Sequence, residues 1–434
     1  MKKNRFLILA LCAIMALSMF PLANSVQADE LIADENIQVL NPAQQIPEAL
    51  ATVQSDTAMT DSAKIQQVIT LLFDAKRSQY EAPLLNDFNF SIFWIPENGN
   101  ADNLTYFERS VKLQKETYAA LEAHAVNART ELTFNELNIN GTNATVNVYE
   151  WFAYTYYSAS TGLKDYESGC GTPYTITMTK IGPAWMITDI EFDNDATDQL
   201  RDTDVSIEEL VDVAYEAATV YEPSVVLASS ENTQLASSRA ANIYTFDTDR
   251  FVYYAKRYDG SARNSYFEDL SDLGGDCQNF ASQCIWYAFG GTNTSTAINA
   301  RSAPMVSSSV TSVDWRQWYC YKYGHSFTWT GVGYFADHVT GTGSGNYGLH
   351  GTIYSGVAQA RPGDIIQISD DGGATWCHSY VVVEVVGITG KRTTSDITIS
   401  AHTTDRAMQV LGTIGFGSNT VFRTIRVTSV VCGS

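Results

Sequence analysis

The sequence predicts an α+β protein in two parts: a smaller N-terminal α+β domain, and a C-terminal domain in which a helix bearing a cysteine packs on an antiparallel sheet. Three observations predict this. Two amphipathic helical patterns precede alternating runs that meet at Asn140-Gly141, a strong hairpin-type turn signal. Farther on, Gly274-Gly275-Asp276-Cys277-Gln278-Asn279-Phe280-Ala281-Ser282-Gln283-Cys284-Ile285 reads as a glycine turn feeding straight into a helix. Beyond it, His378 heads an apolar run rich in β-branched residues and His402 ends an alternating one, so both segments read as strands.

Met1-Lys2-Lys3-Asn4-Arg5, the apolar stretch from Phe6 to Phe20 and Val26-Gln27-Ala28 read as a secretory signal peptide over 1–28, cleaved after Ala28. Cys12 follows Leu11 rather than a small residue, which disfavours a lipoprotein anchor. A leader segment spans 29–55 and the first domain 56–195. From Asp61 the positions Ile65, Val68, Ile69, Leu72 and Ala75 mark one helix, and a second runs from about Leu104 to His124, making His124 a helix surface or C-terminal residue. Strands are expected over Glu131–Ile139, Ala144–Tyr156, Tyr174–Ile181 and Ala184–Phe192, the last two flanking Gly182-Pro183. In pattern alone this order is similar to the NTF2-like or cystatin-like cone. Trp151, Tyr154, Tyr156 and Tyr157 read as a buried sheet face. A linker over 196–240 contains one short helix, Ile207 to Ala218, and a polar exposed stretch, Leu227 to Gln234. The C-terminal domain, 241–434, begins with a helix from Asp247 or Thr248 to Tyr258.

Cys277 sits in a helix's first turn, where unpaired N–H groups and the positive dipole end favour the thiolate, the reactive form of a cysteine. Thiol attack also needs an imidazole to take the proton and a third group to fix which ring nitrogen faces the sulfur. His378 and His402 are the two candidates for the base. Cys277, Phe280, Ala281, Cys284, Ile285 and Ala288 also recur at helical spacing, so a core cysteine fits the same pattern. Cys284 reads as core, since about 10 Å of helical rise separates it from Cys277.

Several ordered pieces add to this: Phe251-Val252-Tyr253-Tyr254-Ala255, Gly275 to Gln283, the segment around Trp315 and Trp318, Ser326-Phe327-Thr328-Trp329, Gly363-Asp364-Ile365-Ile366-Gln367, His378-Ser379 and Ser400-Ala401-His402-Thr403. In that order, from about Asn242 onward, they resemble the putative amidase domain family of secreted bacterial proteins, relatives of the NlpC/P60 and CHAP groups within the papain-like peptidase fold. The resemblance implies a cysteine-dependent amide hydrolase working through an acyl-enzyme, with Cys277 as nucleophile, His378 as base and His402 as third member, Asp405 being held in reserve. It further implies a peptide or peptidoglycan-stem substrate. Asp276 and Gln278 are supporting residues: Asp276 as a helix cap, Gln278 at an exposed helix position where the family more usually has Thr. The Cys277 N–H is the default oxyanion donor, with Gln278, Tyr266 and Gln283 as candidates for the second. Trp315, Trp318, Trp329 and Tyr334, in a stretch rich in Ser, Thr, Gly and aromatic residues, are candidates for cleft walls, a loop-packing role fitting them equally. The competing class is a non-catalytic extracellular binding or surface protein with a vestigial cysteine.

The chain carries 27 basic and 48 acidic residues, and the three basic ones before residue 29 leave with the signal, so the mature charge is 24 minus 48, or −24. Such a surface repels phosphate backbones and anionic lipids, which excludes nucleic-acid and membrane partners for the mature protein. His325, His338 and His350, spaced 13 and 12 apart, match no compact zinc motif, and no phosphate-binding glycine loop is present. No metal and no cofactor are expected. Six cysteines remain after cleavage, too sparse for a disulfide framework, and mostly reduced thiols are expected.

Overall fold

A computed structural model describes residues 42–95, 101–160, 162–192, 197–229, 242–267, 269–271, 276–291, 318, 320–321, 324–341 and 348–432. Two helices open it, α1 (Pro42–Ser55) and α2 (Asp61–Glu81). Thr60 starts α2 by accepting the Ala63 N–H with its hydroxyl, a cap contributing about 1 kcal/mol. Ile65, Val68, Ile69, Leu72 and Ala75 are all buried along its inner face, as their spacing predicts. α3 (Ala101–Ala120) follows, then four antiparallel strands: β1 (Ala123–Asn140), β2 (Asn143–Ser158), β3 (Gly162–Ile181) and β4 (Ala184–Glu191). A tight turn at the expected place joins β1 to β2, with Asn140 opposite Asn143, Ile139 opposite Ala144 and Gly141 at φ 62°.

His124 departs from expectation. The α3 helix stops at Ala120, Glu122 takes a positive φ of 48°, and His124 lies in β1 with its ring 4.8 Å from that of Tyr157. The apolar spacing continues past the end of the helix because Leu121 and Ala123 are buried at the entry to β1 rather than within α3.

The second half contains α4 (Ile207–Thr219), β5 (Val226–Ser229), β6 (Asn242–Thr245), α5 (Thr248–Arg257) and α6 (Asp276–Ala288). A small pair, β7 (Cys320–Tyr321) and β8 (Gly324–His325), is followed by the short helices α7 (Phe327–Thr330) and α8 (Val332–Val339). Strands β9 (Gly348–Ser355), β10 (Ile365–Ser369), β11 (His378–Val385), β12 (Ile397–Ala401), β13 (Asp405–Val410) and β14 (Val421–Cys432) complete the chain. Part of the expected exposed linker, Leu227 to Ser229, is therefore a strand, paired with β9; the stretch from 230 to 234 lies outside the described residues.

The protein is α+β, and among the described residues all strands but β7 and β8 form one antiparallel sheet in the order β1-β2-β3-β13-β12-β11-β10-β14-β9-β5, with β4 on β3 and β6 on β14. One edge of β3 is shared: residues 175–181 pair with β4, while Gly169, Cys170 and Gly171 pair with Ala407, Arg406 and Asp405 of β13. Among the described residues three apolar cores result. One lies between α1–α4 and the first four strands, one between α5, α6, α8 and the later sheet, and one on that sheet's opposite face, around Ile366, Tyr380, Val382 and Ile399. No helix among the described residues is long and apolar enough to cross a membrane.

Candidate active site

Cys277 is the second residue of α6, in the turn whose backbone N–H groups have no intrahelical acceptors, and it is 3% exposed. The residues on either side of it fasten this helix start to two neighbouring strand ends. On one side, the Asp276 carboxylate meets the His402 Nδ1 at 2.6 Å, both side chains being 1% exposed. The same carboxylate accepts from the Asn279 side-chain amide at 2.8 Å and from the Leu270 N–H at 3.2 Å, while the Arg263 Nε stands 3.3 Å away. Burial works against charge on Asp276. His402, Asn279 and Arg263 together outweigh it and hold the carboxyl below its ordinary range.

The His402 ring stacks on Phe280 with centroids 4.0 Å apart, and its Nε2 lies 2.6 Å from the Tyr258 carbonyl oxygen. Carboxylate and carbonyl are both acceptors, so each ring nitrogen lies against one.

On the other side, Gln278 is fully buried, not exposed as its helix position suggested. Its side-chain oxygen accepts from the Ser379 hydroxyl at 2.6 Å and from the Gln367 amide at 3.1 Å, and its amide donates to Ser282 at 3.3 Å. Gln367 in turn accepts from the Arg423 guanidinium at 2.6 and 2.8 Å, and that guanidinium lies 3.9 Å over the Trp376 ring. Desolvation lowers Arg423 to about 10. α6 is not amphipathic: of its thirteen residues only Tyr287 is not buried, and the polar ones are interior hydrogen-bonding groups.

Ser379 is thus the β11 residue turned toward α6. Strand alternation puts His378 on the opposite face with Tyr380, and the two rings pack at 4.4 Å. His378 is 4% exposed. Cys277 and His378 therefore each stand one residue from the Gln278–Ser379 contact, while the imidazole is directed along the Tyr380 face. Asp405, at the start of β13, gives one oxygen to the Arg263 Nη2 at 2.6 Å and the other to the Tyr149 hydroxyl at 2.7 Å.

Of the aromatic cleft candidates, Trp315 lies outside the described residues. Trp318 and Trp329 are wholly buried and stacked at 4.6 Å, and their indole N–H groups donate to Ser282 at 3.2 Å and Asn279 at 2.8 Å, bracing α6 from within. Tyr334 is half exposed beside exposed Phe327. Tyr266 is exposed, and Gln283 accepts from the Tyr254 hydroxyl at 2.8 Å, a structural use. In the Gly363-Asp364 piece, Asp364 accepts from the Arg361 N–H at 2.9 Å and from Arg426 at 2.7 and 3.0 Å, which secures the turn into β10. His338 accepts from the Leu349 N–H at 3.1 Å; among the described residues no three His, Cys, Asp or Glu side chains converge to hold a metal ion.

Sequence reasoning passed over Arg263, Tyr149 and Asp259. Asp259 follows the carbonyl that holds His402 and accepts from the Ser400 hydroxyl at 3.3 Å; burial pushes its carboxyl up to about 7. No spacing rule marks these three, since each acquires its role through contacts more than a hundred residues away in sequence.

Residues 245–425 match the family described as "Putative amidase domain", which agrees with the resemblance carried by the sequence pieces above and gives the segment an amidase-type hydrolase character. No curated protein matches the chain. A solved structure, the intermembrane space region of chloroplast protein ARC6, is similar at 10% identity over 31% of this chain and 97% of that one, with a TM-score of 0.21, a level that carries no inference for fold or function.

Proposed function

Taking residues 245–425 as a putative amidase domain, we propose that the protein is a secreted, cysteine-dependent hydrolase of peptide-type amides, the peptidoglycan stem being the favoured substrate. The observation that carries the mechanism is the placement of Cys277 in the first turn of α6, between two side chains that clamp that turn to β11 and to the end of β12. Preorganised donors at a helix start favour the thiolate and the oxyanion formed when it attacks a carbonyl. Cys277 forms the thioester as His378 accepts the thiol proton; the proton goes to the leaving amine, and water then releases the acid. In this reading the His378 ring, which packs against Tyr380 at 4.4 Å, must present a nitrogen to the sulfur. His402 and Asp276 hold the helix start in place.

A second reading makes His402 the base, favoured by its 2.6 Å contact with Asp276, the arrangement by which a carboxylate orients an imidazole. It requires Nε2 to leave the Tyr258 carbonyl. The signal peptide and the mature charge of −24 support an extracellular site of action without nucleic-acid or membrane partners.

The test is amine release from stem peptides and wall fragments by the full chain and by Cys277→Ala. Loss of release with an unchanged circular-dichroism spectrum is expected; full release by Cys277→Ala would overturn the proposal.

A further inference from the structure

We propose that Tyr149, from the N-terminal half, is a positioning residue for the nucleophile-bearing helix, acting through Asp405 and Arg263 on Asp276. The inference rests on the hydrolase reading for its kinetic consequence, though not for its structural one.

Tyr149 belongs to β2, but its phenol crosses β3 and donates to Asp405 at 2.7 Å. The crossing is possible because β3 has Gly171 there: a methyl group at that position would collide with the Tyr149 hydroxyl. Asp405 in turn binds the Arg263 Nη2 at 2.6 Å, and the Arg263 Nε faces Asp276 at 3.3 Å. Arg263 is further fixed by Gly260 and Ser271, whose carbonyl and hydroxyl accept from its two terminal nitrogens at 2.5 and 3.1 Å. Asp276 then engages His402 and directly precedes Cys277. Phenol, carboxylate, guanidinium, carboxylate and imidazole follow one another, joined by hydrogen bonds except between the Arg263 Nε and Asp276, where the link is an ion pair.

The end of this chain in the first domain stays a donor. Burial, then the charge of Asp405, pushes the Tyr149 phenol far above its ordinary range, so it keeps its proton and cannot exchange roles with the carboxylate. Removing that hydroxyl leaves one Asp405 oxygen without its donor inside the protein. Asp405 then competes more strongly for Arg263, drawing the guanidinium from Asp276 and weakening the electrostatic restraint on the first turn of α6. Neither Tyr149 nor Arg263 touches the sulfur in this scheme; both act through Asp276.

The experiment compares the full chain with Tyr149→Phe and Asp405→Asn, and uses Tyr157→Phe, also on β2, as a control. Two readouts are taken: kcat and KM for amine release, and the low-field proton resonance and nitrogen shifts of the His402 ring. For Tyr149→Phe a three- to tenfold fall in kcat at unchanged KM is expected, with a displaced His402 resonance; Tyr157→Phe should move neither. An unmoved His402 resonance in both Tyr149→Phe and Asp405→Asn overturns the proposal, whatever the activity. A displaced resonance in a protein whose Cys277→Ala form is as active as wild type upholds the structural link and instead removes the hydrolase mechanism.

Discussion

The Ser379 hydroxyl donates to the Gln278 side-chain oxygen at 2.6 Å, and this contact decides which face of β11 meets α6. Because side chains alternate along a strand, the same contact turns the neighbouring His378 to the other face. The two histidines thereby separate in position: His402 is held against the helix, and His378 stands at the start of the strand beside it.

Their replacement should separate accordingly. His378→Ala should lower kcat by about 10² to 10⁴, the usual contribution of a general base, with a thermal midpoint close to wild type. His402→Ala leaves the buried Asp276 charge without its imidazole and should cost about 3–5 kcal/mol in stability, read by urea unfolding. If His402→Ala were as stable as wild type but inactive, the base would be His402 instead.

Iodoacetamide labelling followed by peptide mapping tests the thiol directly. Cys377 is exposed, and so is best replaced by serine beforehand; Cys284 is fully buried, with its thiol pushed well above its usual range by desolvation. In that background Cys277 should label first at mildly acidic pH. Equal labelling of Cys277 and Cys284 would argue against activation.

Gln278→Ala removes a fully buried group from Ser379, Gln367 and Ser282 at once. Each partner left unsatisfied costs about 1–3 kcal/mol, so the unfolding midpoint should fall clearly. Gln278→Thr, the residue more usual in the resembling family, is expected to keep the Ser379 contact and recover part of the loss.

Asp259 gives the fold a pH dependence of definite sign. Its carboxyl is raised from 3.8 to about 7 by burial, so the neutral form is the one the fold prefers. The corresponding stability is complete below the unfolded-state value near 4, declines as pH rises toward 7, and is absent above it. Asp259→Asn should therefore match wild type at pH 4 and exceed it at pH 8. The partly exposed side chain reduces the difference to on the order of 2 kcal/mol. Equal urea midpoints at pH 8 would refute this.

Thr403 has φ 54°, a left-handed conformation unfavourable for a β-branched residue, immediately after His402. Thr403→Gly should raise stability by about 1 kcal/mol, measured as a higher thermal midpoint. A fall in kcat accompanying that gain would indicate that the strained turn helps to hold His402.

Much of this architecture was legible in the chain because it rests on local periodicity. The α2 stripe from Ile65 to Ala75, the Asn140-Gly141 turn, the Asp247-capped helix and the β11 run are each set by residues a few positions apart. The candidate site was legible only as its pieces. Gln278 looked like a surface residue because glutamine usually is one, and only the packing of β10, β11 and the two tryptophans around α6 makes it interior. Tyr149 and Asp405 are 256 positions apart, and no pattern along the chain records that a tyrosine on an ordinary alternating strand will reach across a glycine to the second half.

The three rungs between β3 and β13 also decide how this protein can be shortened. A fragment confined to the matched family segment would lose Gly169, Cys170 and Gly171 and leave the backbone of Asp405, Arg406 and Ala407 bare. What is an interior strand in the whole molecule would become an open margin, with Met408 and Val410 close by as apolar bait for other chains. Solubility of truncated forms should therefore depend on whether the first half travels with the second.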